Sequence, residues 1–100
     1  MNYRLDFHED VEKDYLEAYR WYEASRTGLG DRFIAMVRVK LEQIARNPEA
    51  FSEKTKKGYR EAAIDVFPYI IVYKVYKRTK VVFVNSVIHQ KRHPRMRYRK

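Results

Sequence analysis

Two runs in the second half of the chain constrain the fold most. Residues 69–76 read YIIVYKVY and residues 81–88 read VVFVNSVI, almost unbroken β-branched and aromatic sequence with only Lys77, Arg78, Thr79 and Lys80 between them. Side chains of that shape pack well on a pleated surface, and the runs are short and bounded by polar residues, so the pair predicts a tight antiparallel hairpin. No Asn-Gly dipeptide fixes the turn type. Pro68 marks the start of the first strand, where its missing N–H removes no ladder hydrogen bond. An apolar sheet needs a second layer to cover it, and the upstream sequence has the period of one.

Tyr3, Leu5 and Phe7 alternate with Arg4, Asp6 and His8, which predicts a half-buried opening strand, with His8 an ordinary residue at its end. The period then changes. Val11, Tyr15, Ala18 and Tyr22 share one helical face, and Glu9, Asp10, Glu12 and Asp14 crowd the end where unpaired amides favour negative charge. A helix is expected from about Asp10 to Ser25, reversing through Thr27, Gly28, Leu29 and Gly30. Phe33, Val37, Leu41 and Ile44 predict a second, antiparallel helix that stops at Asn47 and Pro48. Residues 49–58 read as a loop and residues 59–65 as another strand. The order β-α-α-β-β-β defines an α+β fold, a helical hairpin packed on an antiparallel sheet, as a single domain over residues 1–100 with residues 95–100 a basic tail.

At 100 residues, 45% of them hydrophobic, such a domain has one modest core, and its function must sit on the surface. The absence of cysteine excludes a disulfide framework, a thiolate zinc site and a cysteine nucleophile. No apolar run reaches signal-peptide or membrane-span length, so the expectation is a cytoplasmic protein with no membrane partner. The net charge of +9 is unevenly spread. Residues 1–50 carry eight basic and ten acidic side chains, a net of −2, whereas residues 51–100 carry fourteen and three, a net of +11. Such a field favours an anionic partner, either nucleic acid or an acidic protein segment.

The most informative stretch is HQKRHPRMRYRK, residues 89–100, with six Lys or Arg, two His, one Tyr and no acid. Metal-free RNA cleavage needs a base for the 2′-hydroxyl, positive charge for the transition state and an acid for the leaving oxygen. His89, Arg92 and Tyr98 are the candidates for those roles, and Lys91, Arg95 and Arg97 for further phosphate or target contacts. The alternative is a basic tail that binds nothing specific. Lys54, Lys56, Lys57 and Arg60 form a second basic cluster able to meet the tail on one face, or simply a solvated loop. His89 and His93 stand four apart, but Pro94 argues against a helix that would align them, so no metal and no cofactor is expected. Tyr15, Tyr19, Trp21 and Tyr22 offer a stacking surface, although aromatics at helical spacing are more often core.

Together these residues resemble a known family. Asp14, Ala18, Tyr19, Trp21, Tyr22 and Glu23, then Gly28, Leu29, Gly30 and Phe33, then Leu41, Ile44, Asn47 and Pro48 follow the order of the RelE/ParE superfamily of type II toxin–antitoxin toxins. Tyr59-Arg60, Phe67-Pro68-Tyr69, Tyr73, the VVFV strand, His89-Gln90-Lys91-Arg92 and Pro94 continue it, so the resemblance spans nearly the whole chain. The Gly-Leu-Gly reversal and Phe-Pro-Tyr are most similar to the ParE, or plasmid-stabilisation, branch. The resemblance implies a growth-inhibiting protein held in check by a cognate antitoxin. It also implies one of two targets: DNA gyrase for ParE-like members, or messenger RNA cleaved on the ribosome for RelE-like members. Arg92 and Tyr98 match the arginine and tyrosine of the RelE-like enzymes in position and spacing. Those enzymes also carry an arginine directly after the tyrosine that opens the middle strand, where this chain has Ile70. Loss of a charge aimed at the scissile phosphate tips the expectation towards gyrase inhibition, unless Arg60 on the neighbouring strand compensates. Ribosome-dependent mRNA cleavage is the alternative, and an RNA-binding module without toxicity a third.

Overall fold

The computed structural model describes residues 2–91 and residue 98. Its elements are β1 (Arg4–Phe7), α1 (Val11–Ser25), α2 (Leu29–Arg46), a 3-10 turn (Pro48–Ala50), β2 (Arg60–Ala63), β3 (Tyr69–Tyr76) and β4 (Val81–His89). The expected order and the helical hairpin on a sheet are both present. Sheet order is β1-β4-β3-β2, with β3 antiparallel to both of its neighbours. β1 runs parallel to β4, Leu5 opposite Val82, so the sheet is mixed rather than wholly antiparallel. Its pairing partner lies some seventy-seven residues away in sequence, and no local pattern encodes that direction.

The helices cover one face of the sheet. Phe33, Val37 and Ile44 of α2 and Val11 and Ala18 of α1 pack with Ala62, Ile71, Tyr73, Val82, Val84 and Val87. Tyr22, one of the aromatics read as core, stacks on Phe33 at 5.4 Å and meets the edge of Phe67 at 4.8 Å. Trp21 does not join them and is 71% exposed. Each fully buried side chain of this size contributes about 1.5–3 kcal/mol relative to exposure. Asp14 adds a polar tie, its Oδ2 accepting the backbone N–H of Val87 at 3.1 Å.

The loops differ more from expectation than the strands do. Gly30 lies inside α2 rather than in the reversal. The Glu23 carboxylate accepts from the N–H groups of Gly28 (2.9 Å) and Gly30 (3.0 Å), satisfying amides that a helix start leaves unpaired and letting α2 begin at Leu29. Residues 49–58 are not a plain loop: buried Pro48 starts the 3-10 turn, and Glu53 bridges to Arg60 ahead of β2. The β2–β3 turn forces Val66 to φ 75, unusual for a β-branched residue. It is clamped on both sides, by Asp65 reaching the buried Lys40 at 4.0 Å and by Phe67 in the core.

Candidate functional site

Alternation along the strands gives the sheet a covered face and an open face, and assigns each candidate residue to one of them. Tyr69, Ile71, Tyr73 and Val75 turn towards the helices. Ile70, Val72 and Ile88 form a separate cluster on the opposite side, with Tyr59 and Tyr98 packed against it. The Tyr98 ring lies 5.1 Å from that of Tyr59, and its hydroxyl donates to the Glu61 carboxylate. Glu61 is opposite Val72, which is opposite Ser86, so the three make one row across the strands. Lys74 places its Nζ 4.8 Å from the Tyr59 ring centroid, a cation–π contact at the border of the strip.

His89 does not join this group. It follows Val87 by two positions on β4, sits opposite Tyr69, and meets that ring edge-on at 5.3 Å. Its Nδ1 accepts the Lys91 N–H at 3.1 Å, which in the neutral ring puts the proton on Nε2. His89 therefore belongs to the covered side of the sheet and Tyr98 to the open side.

Arg60 is also turned away from Tyr98. It pairs with Tyr73, and its guanidinium, with the side chain 13% exposed, donates to the Phe51 carbonyl at 2.5 Å and to Glu53 at 3.3 Å, with Glu49 at 4.0 Å. These partners commit it to tying the 3-10 region to β2. Lys54 and Lys57 stand exposed on a folded turn. Thr55 Oγ1 accepts the N–H of Lys57 (3.2 Å) and of Tyr59 (3.3 Å), and Gly58 supplies the positive φ of 88° that closes it. Lys57 and Arg60 do meet, with Lys74, Lys77, Glu49 and Glu53, around a depression of about 300 Å³ at the β2 edge. Lys77 donates to Glu49 at 2.9 Å; that hydrogen bond holds the Glu49 carboxyl below the usual range and raises the Lys77 ammonium. Lys91 is exposed just beyond β4. Arg92, Arg95 and Arg97, and the rest of the expected 95–100 tail apart from Tyr98, lie outside the described residues.

Glu61 and Lys74 are the residues that sequence reading passed over. The period of two through Tyr59 and Glu61 already put them on one face, and Glu61 is one of only three acids in residues 51–100. A second concavity, about 450 Å³, opens beside β1 between the helices, lined by Phe7, His8, Val11, Tyr15, Ile34 and Leu41 among others. Among the described residues no group of three His, Asp or Glu side chains converges as metal ligands would, and no helix is long and apolar enough to cross a membrane. Among the described residues the open face is thus an apolar strip carrying two tyrosines with Lys74 at its border, a surface suited to contact, and His89 does not face it.

Comparison with known proteins places these features in context. The family described as ParE toxin of type II toxin–antitoxin system, parDE, matches residues 5–94. No curated protein matches the chain. Among solved structures, the chromosomal ParDE toxin–antitoxin system of P. aeruginosa superposes with a TM-score of 0.75 at 12% identity, over 87% of this chain and 95% of that one, a likeness of fold. The isolated RelE toxin of E. coli is 26% identical with a TM-score of 0.67, over 92% of this chain and 88% of that one. The intact RelBE toxin–antitoxin complex of E. coli gives 25% identity and 0.67, over 90% and 99%.

Proposed function

The chain belongs to the ParE toxin family of type II toxin–antitoxin systems, and from that premise we propose that it inhibits growth by poisoning DNA gyrase and is neutralised by a cognate antitoxin. It acts in the cytoplasm as one domain, without metal or cofactor. The observation that carries the choice of target is the separation of His89 from Tyr98 by the thickness of the sheet. A general base and a general acid serving one phosphodiester must both reach it within hydrogen-bond distance, and these two side chains face different sides. Ile70, in place of an arginine, is buried in the apolar strip, and Arg60 is held by Phe51, Glu49 and Glu53, so neither supplies the missing charge. An antitoxin segment with acidic side chains suits the basic residues Lys57, Lys74 and Lys77 that line the depression at the β2 edge. This likeness to complexes of toxin with antitoxin supports such a partner.

A second reading, ribosome-dependent mRNA cleavage, is favoured by the spacing of Arg92 and Tyr98. Induction of the chain without an antitoxin separates the two. Gyrase poisoning gives accumulated gyrase–DNA cleavage complexes and a DNA-damage response with translation intact at early times. Messenger RNA cut in the ribosomal A site, with no cleavage complexes, would overturn it. Undisturbed growth would favour the third reading, an RNA-binding module without toxicity.

A further inference from the structure

The second half of the chain has only three acids, and each is committed to a partner: Glu53 to Arg60, Asp65 to Lys40 and Glu61 to Tyr98. The first two brace loops. The third joins β2 to a residue seven positions beyond Lys91, far outside the sheet in sequence, and it does so over an apolar strip that would otherwise face solvent. Ile70 and Ile88 are 6% exposed and Val72 is fully buried although neither α1 nor α2 covers this side, which requires a cover from elsewhere. Among the described residues, Tyr59 and Tyr98 pack against the strip and supply that cover.

We propose that Tyr59, Glu61, Ile70, Val72 and Ile88 form a receptor for a phenol side chain, occupied in cis by Tyr98, and that Tyr98 is an anchor for the C-terminal segment. The chemistry of the site selects tyrosine. The aliphatic floor and the Tyr59 ring, 5.1 Å away, take the aromatic body, and the Glu61 carboxylate takes the hydroxyl as a charge-assisted acceptor. Phenylalanine would fill the floor and leave the carboxylate's bond unmade; a longer cation would meet Lys74 at the border. Glu61 is a positioning residue in this arrangement, holding Tyr98 on the open face of the sheet. The inference holds whichever target the toxin has, because it concerns occupancy of the site and not inhibition of growth.

Chymotrypsin cleavage after residue 98 in the full-length protein, followed by loss of the mass of Arg99-Lys100, reads the occupancy directly, since tyrosine and phenylalanine are both cut. Opening exposes the bond, so the rate follows the open population. Tyr98→Phe and Glu61→Ala should each speed cleavage about tenfold, the factor given by losing one hydrogen bond to a charged group. Glu61→Gln, which keeps an acceptor, should fall between these and the wild type. Circular dichroism melting of the same variants separates local release from unfolding. Tyr98→Phe removes a single oxygen and keeps the packing, so it carries the test even if Glu61→Ala folds poorly. Equal rates in wild type and both variants would overturn the proposal. Protection that rises with protein concentration would also overturn it, by putting the Tyr98 of a second copy in the site.

Discussion

A methyl group on Gly30 would stand 2.7 Å from the Tyr19 carbonyl oxygen, 2.8 Å from the Tyr19 ring and 2.9 Å from the Glu23 carboxylate. Gly30 is thus a residue of close approach between α1 and α2, and its neighbour Gly28, at φ 90 and in open space, is the one that needs conformational freedom. The distinction fixes the sign of a substitution. Alanine gains about 1 kcal/mol over glycine in a helix interior. Against that, a backbone oxygen under 3.0 Å cannot retreat as a side-chain tip can, and overpacking of this kind costs about 1–3 kcal/mol. The displaced carboxylate would also release the Gly28 and Gly30 amides. Gly30→Ala is therefore expected to lower stability by roughly 1–2 kcal/mol net, read as a lower urea midpoint at unchanged slope. The sequence marks both glycines as a reversal; which does which depends on a contact with α1 that spacing does not encode.

At the scale of elements, legibility followed locality. β3 begins at Tyr69 and ends at Tyr76 as the apolar run does, and α1 ends at Ser25, because period and flanking residues decide such boundaries within a few positions. The 3-10 turn at Pro48–Ala50 was hidden because its partner is remote: the hydroxyl of Tyr73, fully buried on β3, donates to the Pro48 carbonyl at 2.6 Å. Burial pushes the Tyr73 phenol up to about 12, from 10 for an ordinary tyrosine. Folding therefore favours the protonated phenol, and its contribution is fully present below pH 10 and is lost as pH climbs towards 12. Burial also raises Tyr22, which adds a loss in the same direction. Urea midpoints measured across that alkaline window should fall with pH in the wild type and fall less steeply in Tyr73→Phe. Near neutral pH that variant should be less stable by about 1 kcal/mol, the net worth of the hydrogen bond it lacks.

Over the whole molecule, the charge asymmetry and the mixed sheet together decide what the surface offers. Residues 51–100 carry a net of +11, and the nine basic side chains among residues 51–91 fall on strands and loops, while the helices, from the half with a net of −2, occupy one face of the sheet. Sequence reading located the charge and the aromatic residues of that open face. It could not divide them between faces, because the bulge between Val72 and Tyr73 skips Asn85 in the β4 register, so that Val84 and Val87 both face the helices and His89, two positions beyond Val87, falls on that side and not on the side of Phe83. Two candidates close in sequence, His89 and Tyr98, are thereby placed on different sides of the sheet. The split has a measurable consequence for toxicity. A general base contributes typically 10²–10⁴-fold to a rate, so under the nuclease reading His89→Ala should abolish growth inhibition together with A-site cleavage. Under gyrase poisoning the imidazole is a partly exposed packing neighbour of Tyr69, whose removal costs about 1 kcal/mol and leaves the open face intact. His89→Ala, induced to equal protein level without an antitoxin, is then expected to reduce colony formation to within about twofold of the wild type, a change far smaller than loss of a catalytic base would cause. Full recovery of growth, with the variant soluble and folded by circular dichroism, would return His89 to a catalytic role and the chain to the ribosome.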